Sequence, residues 1–135
     1  VSARGFPCQT ANLPPHPLRS QALWEKTERL LENVMSEWPL PIGVFAVVDE
    51  IGRMIAQICR GRGWRVPQDV AIIAGANQES ICERPRPSLS SIEFGYRRVG
   101  YEAARLLDKL MATNSTKASN SKRPLHLLLP PHGVV

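Results

Sequence analysis

The chain has 135 residues, of which 43% are hydrophobic and 21% charged. This composition is typical of one compact domain and excludes an intrinsically disordered chain. The formal net charge of +5 permits contact with a polyanion such as nucleic acid, but the arginines form several short clusters that are better interpreted as solvated surface charge.

The N-terminal part of the chain predicts one helix after an irregular start. Residues 1–19 contain four prolines, which exclude a continuous helix. Ser20 has the residue type and the position of a helix N-cap, and leucines at helical spacing follow it. We therefore expect a helix over 21–37, which the prolines after it would end.

The next part of the chain predicts a strand–helix–strand unit. The apolar runs 42–48 and 70–74 have the length and the β-branched content of buried strands. Between them, residues 50–60 carry apolar side chains at helical spacing. Two strands joined by a helix and short connections form a parallel βαβ unit. The sequence therefore predicts an α/β fold, with a parallel sheet and helices on both of its faces.

The C-terminal part predicts a mixture of loops and regular elements. In order, we expect a loop over 79–88, a short strand over 89–92, a helix over 97–111, a mobile polar loop over 112–123 and a last strand over 125–129. These elements divide the chain into an irregular segment (1–19), a compact lobe (20–111), the polar loop (112–123) and a closing segment (124–135).

Several functional classes have no support in the sequence. The three cysteines and three histidines lack the paired spacing of a zinc site or a disulfide framework, so we expect no metal. No phosphate loop, dinucleotide-binding glycine motif or nucleophile elbow is present, so we expect neither an enzyme nor a cofactor. The apolar runs are shorter than the roughly 18–20 residues of a membrane span, and no signal pattern opens the sequence. We expect a cytoplasmic protein without membrane contact.

Polar residues follow the two predicted strands, and they are the candidate binding residues. Asp49 comes directly after the first strand, and Asn77 and Gln78 follow the second. Because ligands of open α/β sheets bind beyond the carboxyl ends of the strands, these residues would line a ligand site. Arg53, one turn further along, could reach the same place or pair with Glu50. The alternatives are an N-cap role for Asp49 and a turn role for Asn77.

Three stretches of sequence resemble a known family. They are FAVVDEIGRMIAQICRGRGWRVPQDVAIIAGANQESICE, PSLSSI and VGYEAARLLDKL, which together cover about residues 38–111. The order and spacing of these stretches resemble the effector-binding domain of lactose-repressor-type regulators, and most closely that of xylose operon regulators. The ending LHLLLPPHGVV also resembles the final strand of that family. The resemblance implies one lobe of a type I periplasmic-binding-protein fold, in which a sugar lies between two lobes.

The resemblance also assigns roles to individual residues. Asp49 matches the acid of the family that faces the sugar, and Asn77 matches the Asn of a Gly-x-Asp-Asn-like segment. The acid before that Asn is replaced here by Ala76. A missing charged hydrogen bond costs on the order of 1.5–3 kcal/mol, so sugar binding would be about tenfold or more weaker, or the ligand would differ. Asn77 or Gln78 could compensate.

The resemblance implies partners that this chain does not contain. A first lobe would precede Val1, and a helix-turn-helix domain that binds DNA would follow Val135. Sugar binding would close the lobes and reorient the DNA-binding domains of a homodimer, with the helix over 50–60 supporting dimerisation. Two alternatives stay open: one lobe of a transport-type sugar-binding protein, or a stand-alone small α/β domain that has lost its ligand.

Overall fold

The computed structural model describes residues 4–5, 7–14, 19–84, 86–114 and 126–135. Its elements are α1 (Gln21–Ser36), β1 (Ile42–Phe45), α2 (Asp49–Gly61), β2 (Val70–Gly75), α3 (Glu79–Cys82), β3 (Ser90–Glu93), α4 (Tyr96–Asn114) and β4 (Gly133–Val134). The strands form one sheet in the order β1-β2-β3-β4. The first three are parallel and β4 is antiparallel to β3, which confirms the predicted α/β class with a mainly parallel sheet.

Helix α1 begins as the sequence predicts. The hydroxyl of Ser20 accepts a hydrogen bond from the backbone N–H of Leu23 at 3.3 Å, which is the expected N-cap. The helix ends one residue earlier than predicted. One side of it is buried and belongs to the hydrophobic core that α2 also lines, and this side carries Thr27, Leu31 and Met35.

Helix α2 is the central element of the core. Nine of its thirteen residues are buried, so little of its surface is left for another partner. A Cβ at Gly52 would lie 3.0 Å from Cβ of Ala74, which shows how closely α2 approaches β2. Gly63, with φ +72°, ends the helical segment, and the N–H of Trp64 returns to the carbonyl of Cys59 at 2.9 Å. The predicted glycine stop is confirmed.

An ion pair closes the connection between α2 and β2. The guanidinium and backbone N–H of Arg65 donate three hydrogen bonds to the carboxylate of Asp69, at 2.7–3.0 Å. The side-chain hydrogen bonds, followed by the backbone one, lower the pKa of Asp69 to about 2. The connection is therefore tied into a compact turn before β2 begins.

The first strand is shorter than the sequence predicts. The strand was expected over 42–48, but β1 ends at Phe45, and its last ladder bond runs from the N–H of Ala46 to the carbonyl of Ile73 at 2.9 Å. The chain then turns away from the sheet to begin α2, and Val47 is left 73% exposed. Apolar character alone does not distinguish a strand from the turn that follows it.

The predicted loop over 79–88 contains a short helix. Residues Glu79–Cys82 form α3, so the prediction of a continuous loop is wrong. The reason lies elsewhere in the chain, because the carbonyls at the end of α3 accept hydrogen bonds from Arg53. The carbonyl of Cys82 also accepts the N–H of Leu89 at 3.0 Å, which directs the chain into β3.

The C-terminal strand lies elsewhere than predicted. The prediction of a strand over 125–129 is wrong for residues 126–129, which have no regular structure. Leu125 lies outside the described residues. Pairing occurs instead at Gly133–Val134, where β4 joins β3. Helix α4 extends to Asn114, so the loop predicted over 112–123 is wrong for 112–114, and residues 115–123 lie outside the described part.

Within the described part of the chain, a helix covers one face of the sheet and side chains on the other face are exposed. Helix α2 covers the face that carries Ile72 and Ala74. On the opposite face Phe45 is 56% exposed, and Ala71 is exposed as well. Helix α4 keeps exposed apolar side chains at Val99, Leu107 and Leu110. Helices on both faces, as the sequence predicts, are therefore not found among the described residues.

Candidate functional site

The carboxyl ends of β1, β2 and β3 meet at one edge of the sheet, because these three strands are parallel. We call this place the carboxyl edge, and it comprises residues 46–49, 76–78 and 94–96. The edge brings Asp49, Asn77 and Gln78 together, as the sequence predicts. The fourth candidate, Arg53, makes its hydrogen bonds outside this edge.

Asp49 is a buried acceptor at the centre of the carboxyl edge. Its side chain has no solvent exposure. One carboxylate oxygen accepts the backbone N–H of Gln78 at 2.7 Å, and the other accepts the hydroxyl of Ser91 at 2.6 Å. The N-cap residue of α2 is Val48, and no side chain caps this end, so the N-cap interpretation of Asp49 is wrong. Its charge still lies in the first turn of α2, where the helix dipole favours an anion.

Ser91 is the residue that sequence reasoning missed. It is fully buried in β3, donates its hydroxyl proton to Asp49 and accepts the backbone N–H of Asn77 at 3.0 Å. Ser91 thereby links the end of β2 to the start of α2. A signal was present in the sequence: strand periodicity places Ser91 on the same face as Leu89, which is buried.

The backbone at the end of β2 adopts an uncommon conformation. Ala76 has φ +114° and Asn77 has φ +56°, both in the region that favours glycine. The N–H of Ala76 donates to the carbonyl of Ile92 at 3.1 Å, and the N–H of Asn77 donates to Ser91. Asn tolerates the left-handed conformation better than most residues. The conformation is therefore held in place by the neighbouring strand.

Asn77 and Gln78 differ in the state of their side-chain amides. The amide of Gln78 is exposed and donates to the carboxylate of Glu50 at 3.2 Å. The side chain of Asn77 is half-buried and has no hydrogen-bond partner among the described residues. Its two donors and its acceptor are thus available to a ligand at the carboxyl edge. The alternative expectation was that the Asn77 side chain stabilises its own turn. In the structure the backbone of Asn77 forms the turn, and its side chain takes no part in it.

Arg53 donates hydrogen bonds to backbone carbonyls in and after α3. Its side chain is 8% exposed, and its guanidinium donates to the carbonyl of Ile81 at 2.6 and 3.2 Å and to that of Pro87 at 2.7 Å. Burial lowers the pKa of Arg53 below its ordinary value, although an arginine stays protonated in proteins. The expected pairing with Glu50 is not observed in the described part of the chain. The guanidinium holds the backbone between α3 and β3.

Cys82 lies beneath the carboxyl edge beside the Asp49 carboxylate. Burial, and then the negative charge of Asp49, raise the pKa of its thiol, so it stays protonated. A thiol in this state packs as a small apolar side chain. Among the described residues, no group of three or more His, Cys, Asp or Glu side chains could hold a metal ion.

Gly75 allows the strands to approach each other at the carboxyl edge. A Cβ at position 75 would lie 2.9 Å from the carbonyl oxygen of Val47 and 3.0 Å from Cζ of Phe94. Both distances are shorter than van der Waals contact. The position therefore excludes a side chain unless the backbone or the Phe94 ring moves.

We expect Gly75→Ala to lower the free energy of unfolding by about 1–3 kcal/mol, because the added methyl overpacks the edge. The matched control is Gly43→Ala in β1, where a Cβ would meet nothing within 4 Å. That control should change stability by no more than about 0.5 kcal/mol. Urea unfolding of both variants checks the prediction, and equal effects would contradict it.

The chain belongs to the periplasmic binding protein-like domain family, whose model matches residues 1–134. Within this family it is similar to the xylose operon regulatory protein of Haemophilus influenzae, at 34% identity over 108 residues. The solved structure of the xylose-binding transcription activator XylR is similar at 31% identity and a TM-score of 0.66. The transcriptional regulator CelR in complex with cellobiose is similar at 27% identity and a TM-score of 0.62.

The three comparisons cover most of this chain but little of the relatives. They include 80%, 83% and 82% of this chain, but only 26%, 28% and 30% of the Haemophilus protein, the XylR chain and the CelR chain. The chain thus spans between a quarter and a third of the length of these relatives. The resemblance inferred from the sequence motifs is confirmed. The matched relatives are transcription regulators rather than enzymes.

Proposed function

We propose that this chain is part of the sugar-sensing region of a DNA-binding transcriptional regulator, and that its carboxyl edge contacts the sugar. The observation that carries the proposal is the free side-chain amide of Asn77. A buried network of Asp49 and Ser91 fixes the backbone around it. A free amide on a fixed backbone, at the carboxyl ends of parallel strands, has the position and chemistry to bind sugar hydroxyls, each of which both donates and accepts.

The candidate residues take different parts in this proposal. Asn77 binds the sugar directly, and Gln78 adds an exposed amide next to it. Asp49 acts indirectly, because both of its oxygens are already used within the protein. Arg53 holds the segment after Gln78 in place. The chain works without a cofactor or catalysis, because binding alone shifts the population of two conformations.

The remaining parts of the mechanism reside in the longer protein. The sugar would bind between this lobe and a second one, and closure would reorient a DNA-binding domain, so the protein would act in the cytoplasm. None of the described helices is both long and apolar enough to span a bilayer. The proposal includes sugars other than xylose as effectors, because the related CelR structure is a complex with cellobiose.

We further propose that the full-length regulator is a homodimer. The helix expected to support dimerisation, α2, has its apolar residues buried within this chain. Its exposed side chains include Gln57 and Arg60, so α2 could contribute only polar contacts. Sedimentation equilibrium of the full-length protein tests the proposal, and a monomer at micromolar concentration would contradict it.

We expect Asn77→Gly to weaken sugar binding to the full-length protein by about tenfold or more, because buried hydroxyls lose their partners. We choose glycine rather than alanine, because glycine adopts the positive φ of this position without strain, so that the variant loses the side chain and keeps the backbone conformation. Isothermal titration calorimetry with D-xylose and other neutral mono- and disaccharides measures the effect. Asn33→Ala, an exposed change on α1, is the control and should leave binding unchanged. Unchanged binding in Asn77→Gly, or no binding of any neutral sugar by the native protein, would refute the proposal.

A further inference from the structure

Helix α4 is amphipathic, but its apolar side is not buried within the described part of the chain. One side of the helix carries four apolar residues at intervals of three or four positions, namely Val99, Ala103, Leu107 and Leu110. We call them the α4 stripe. None of residues 96–112 is buried, and the exposed fractions of Val99, Leu107 and Leu110 are 42%, 59% and 41%. A regular apolar stripe of this kind is typical of a helix that packs against a partner.

The segment of the chain nearest to α4 lies on a different side of the helix. His126 and Leu127 line a cavity together with residues of α4 that include Glu102, Arg105 and Lys109. At 100° per residue, these three charged residues lie about 120° around the helix from the α4 stripe. Residues 126–127 therefore approach the charged side of α4 and leave the stripe exposed.

The sheet does not cover the α4 stripe either. A helix that follows a strand of a parallel sheet usually returns along one face of that sheet. The sheet face opposite α2 carries Phe45, which is 56% exposed, and Ala71, which is exposed as well. Since both this face and the stripe are exposed, α4 does not pack on the sheet.

Helix α4 is attached to the sheet at the carboxyl edge. The chain enters the helix from the carboxyl end of β3, and it returns through β4, which is antiparallel to β3 and therefore begins at the same edge. The two connections lie side by side. The N–H of His132 donates to the carbonyl of Glu93 at 2.8 Å, and a Cβ at Gly95 would lie 2.8 Å from Nε2 of His132. The stripe is thus connected to the edge at which the sugar is proposed to bind.

We infer that the α4 stripe packs into the core of the second lobe, so that α4 belongs to that lobe although its sequence lies within this chain. The inference rests on the proposed function, which places a second lobe across the carboxyl edge. The relatives are long enough for such a lobe, because this chain spans less than a third of each. The adjacent connections at Gly95 and His132 then cross between the two lobes. A second copy of the chain has no comparable attachment to this edge.

The first test is photo-crosslinking of the full-length protein, with Leu107 replaced by p-benzoylphenylalanine. The matched control carries the same group at Asp108, which is exposed and lies outside the stripe. Irradiation should join position 107, but not position 108, to a peptide of the same protomer outside residues 1–135. A product with the mass of two protomers would assign the stripe to a second copy. That result, a product confined to residues 1–135, or the same products at both positions would overturn the inference.

A smaller substitution tests the inference where the bulky group at position 107 prevents folding. Leu107→Cys and Asp108→Cys are compared in a Cys8→Ser background, because Cys8 is exposed whereas Cys59 and Cys82 are buried. In native buffer a maleimide should label Leu107→Cys about tenfold more slowly than Asp108→Cys, and in guanidinium the rates should be equal. Equal rates in native buffer would contradict the inference.

The outcomes for the stripe and for the proposed function can be distinguished, because neither measurement involves a sugar. A protein that binds a neutral sugar but exposes position 107 overturns the inference alone. A protein that cross-links position 107 to a second lobe but binds no neutral sugar refutes the sugar-sensing proposal and leaves the packing of α4 in place.

Discussion

Replacing Asp49 with alanine is expected to lower the free energy of unfolding by about 4 kcal/mol. The carboxylate is fully buried, and its oxygens accept the hydroxyl of Ser91 at 2.6 Å and the N–H of Gln78 at 2.7 Å. The substitution leaves both donors without a partner, and each unsatisfied buried group costs roughly 1–3 kcal/mol. Urea unfolding followed by circular dichroism measures the loss.

Two further variants establish that the hydrogen bonds at Asp49 cause this effect. Asp49→Asn keeps the shape and one acceptor, so it should lose about half as much as the alanine variant. Asp108→Ala removes an exposed carboxylate on α4 and should change stability by no more than about 0.5 kcal/mol. Equal stabilities of Asp49→Ala and Asp108→Ala would show that the network at the carboxyl edge contributes nothing to folding.

The regular elements near the centre of the chain could be predicted because their signals are local. Apolar runs bounded by Pro41 and Asp49, and a helical pattern that ends at Gly61, determine the βαβ unit. Helix α3 could not be predicted in this way. It has four residues, and the arginine that donates to its last carbonyls is 28 residues away in sequence. A short helix that depends on a distant donor leaves no periodic pattern.

The location of the candidate site was predictable, but its hydrogen bonds were not. The rule that parallel strands end at one edge places Asp49 beside Asn77 and Gln78. The donor that binds the Asp49 carboxylate is determined by the tertiary structure, because Ser91 is 42 residues away from Asp49 in sequence. Arg53 illustrates the same limit, since its spacing from Asp49 suggests an edge position and only the packed structure shows its bonds to Ile81.

The wrong prediction for the position of the last strand has a different cause. Leu127 and Leu128 belong to an apolar run that resembles a buried strand, yet they are 53% and 93% exposed. Among the described residues, the C-terminal segment pairs with β3 at Gly133–Val134, and the N–H of the next residue, Val135, donates to the carbonyl of Ser91 at 2.8 Å. Hydrophobic composition predicts burial only where a neighbouring element supplies the partner. The same reasoning applies to the exposed apolar side chains of α4.

Replacing Arg53 with methionine is expected to lower the free energy of unfolding by about 3 kcal/mol. Methionine keeps the apolar stem packed within the core but removes the donors to the carbonyls of Ile81 and Pro87. Those carbonyls anchor the end of α3 and the turn into β3. The loss should therefore also accelerate hydrogen exchange of the Leu89 N–H, which donates to the carbonyl of Cys82.

The matched control for Arg53 is Arg60→Met on the same helix. Arg60 is exposed, so its replacement should change stability by no more than about 0.5 kcal/mol. Arg53→Lys keeps the charge but not the planar fork that reaches two carbonyls, and its stability should fall between those of the native protein and Arg53→Met. If Arg53→Lys were fully stable, charge alone would be sufficient. If Arg53→Met matched Arg60→Met, the guanidinium would not hold the α3 segment, and the backbone after Gln78 would be positioned by Asp49 and Ser91 alone.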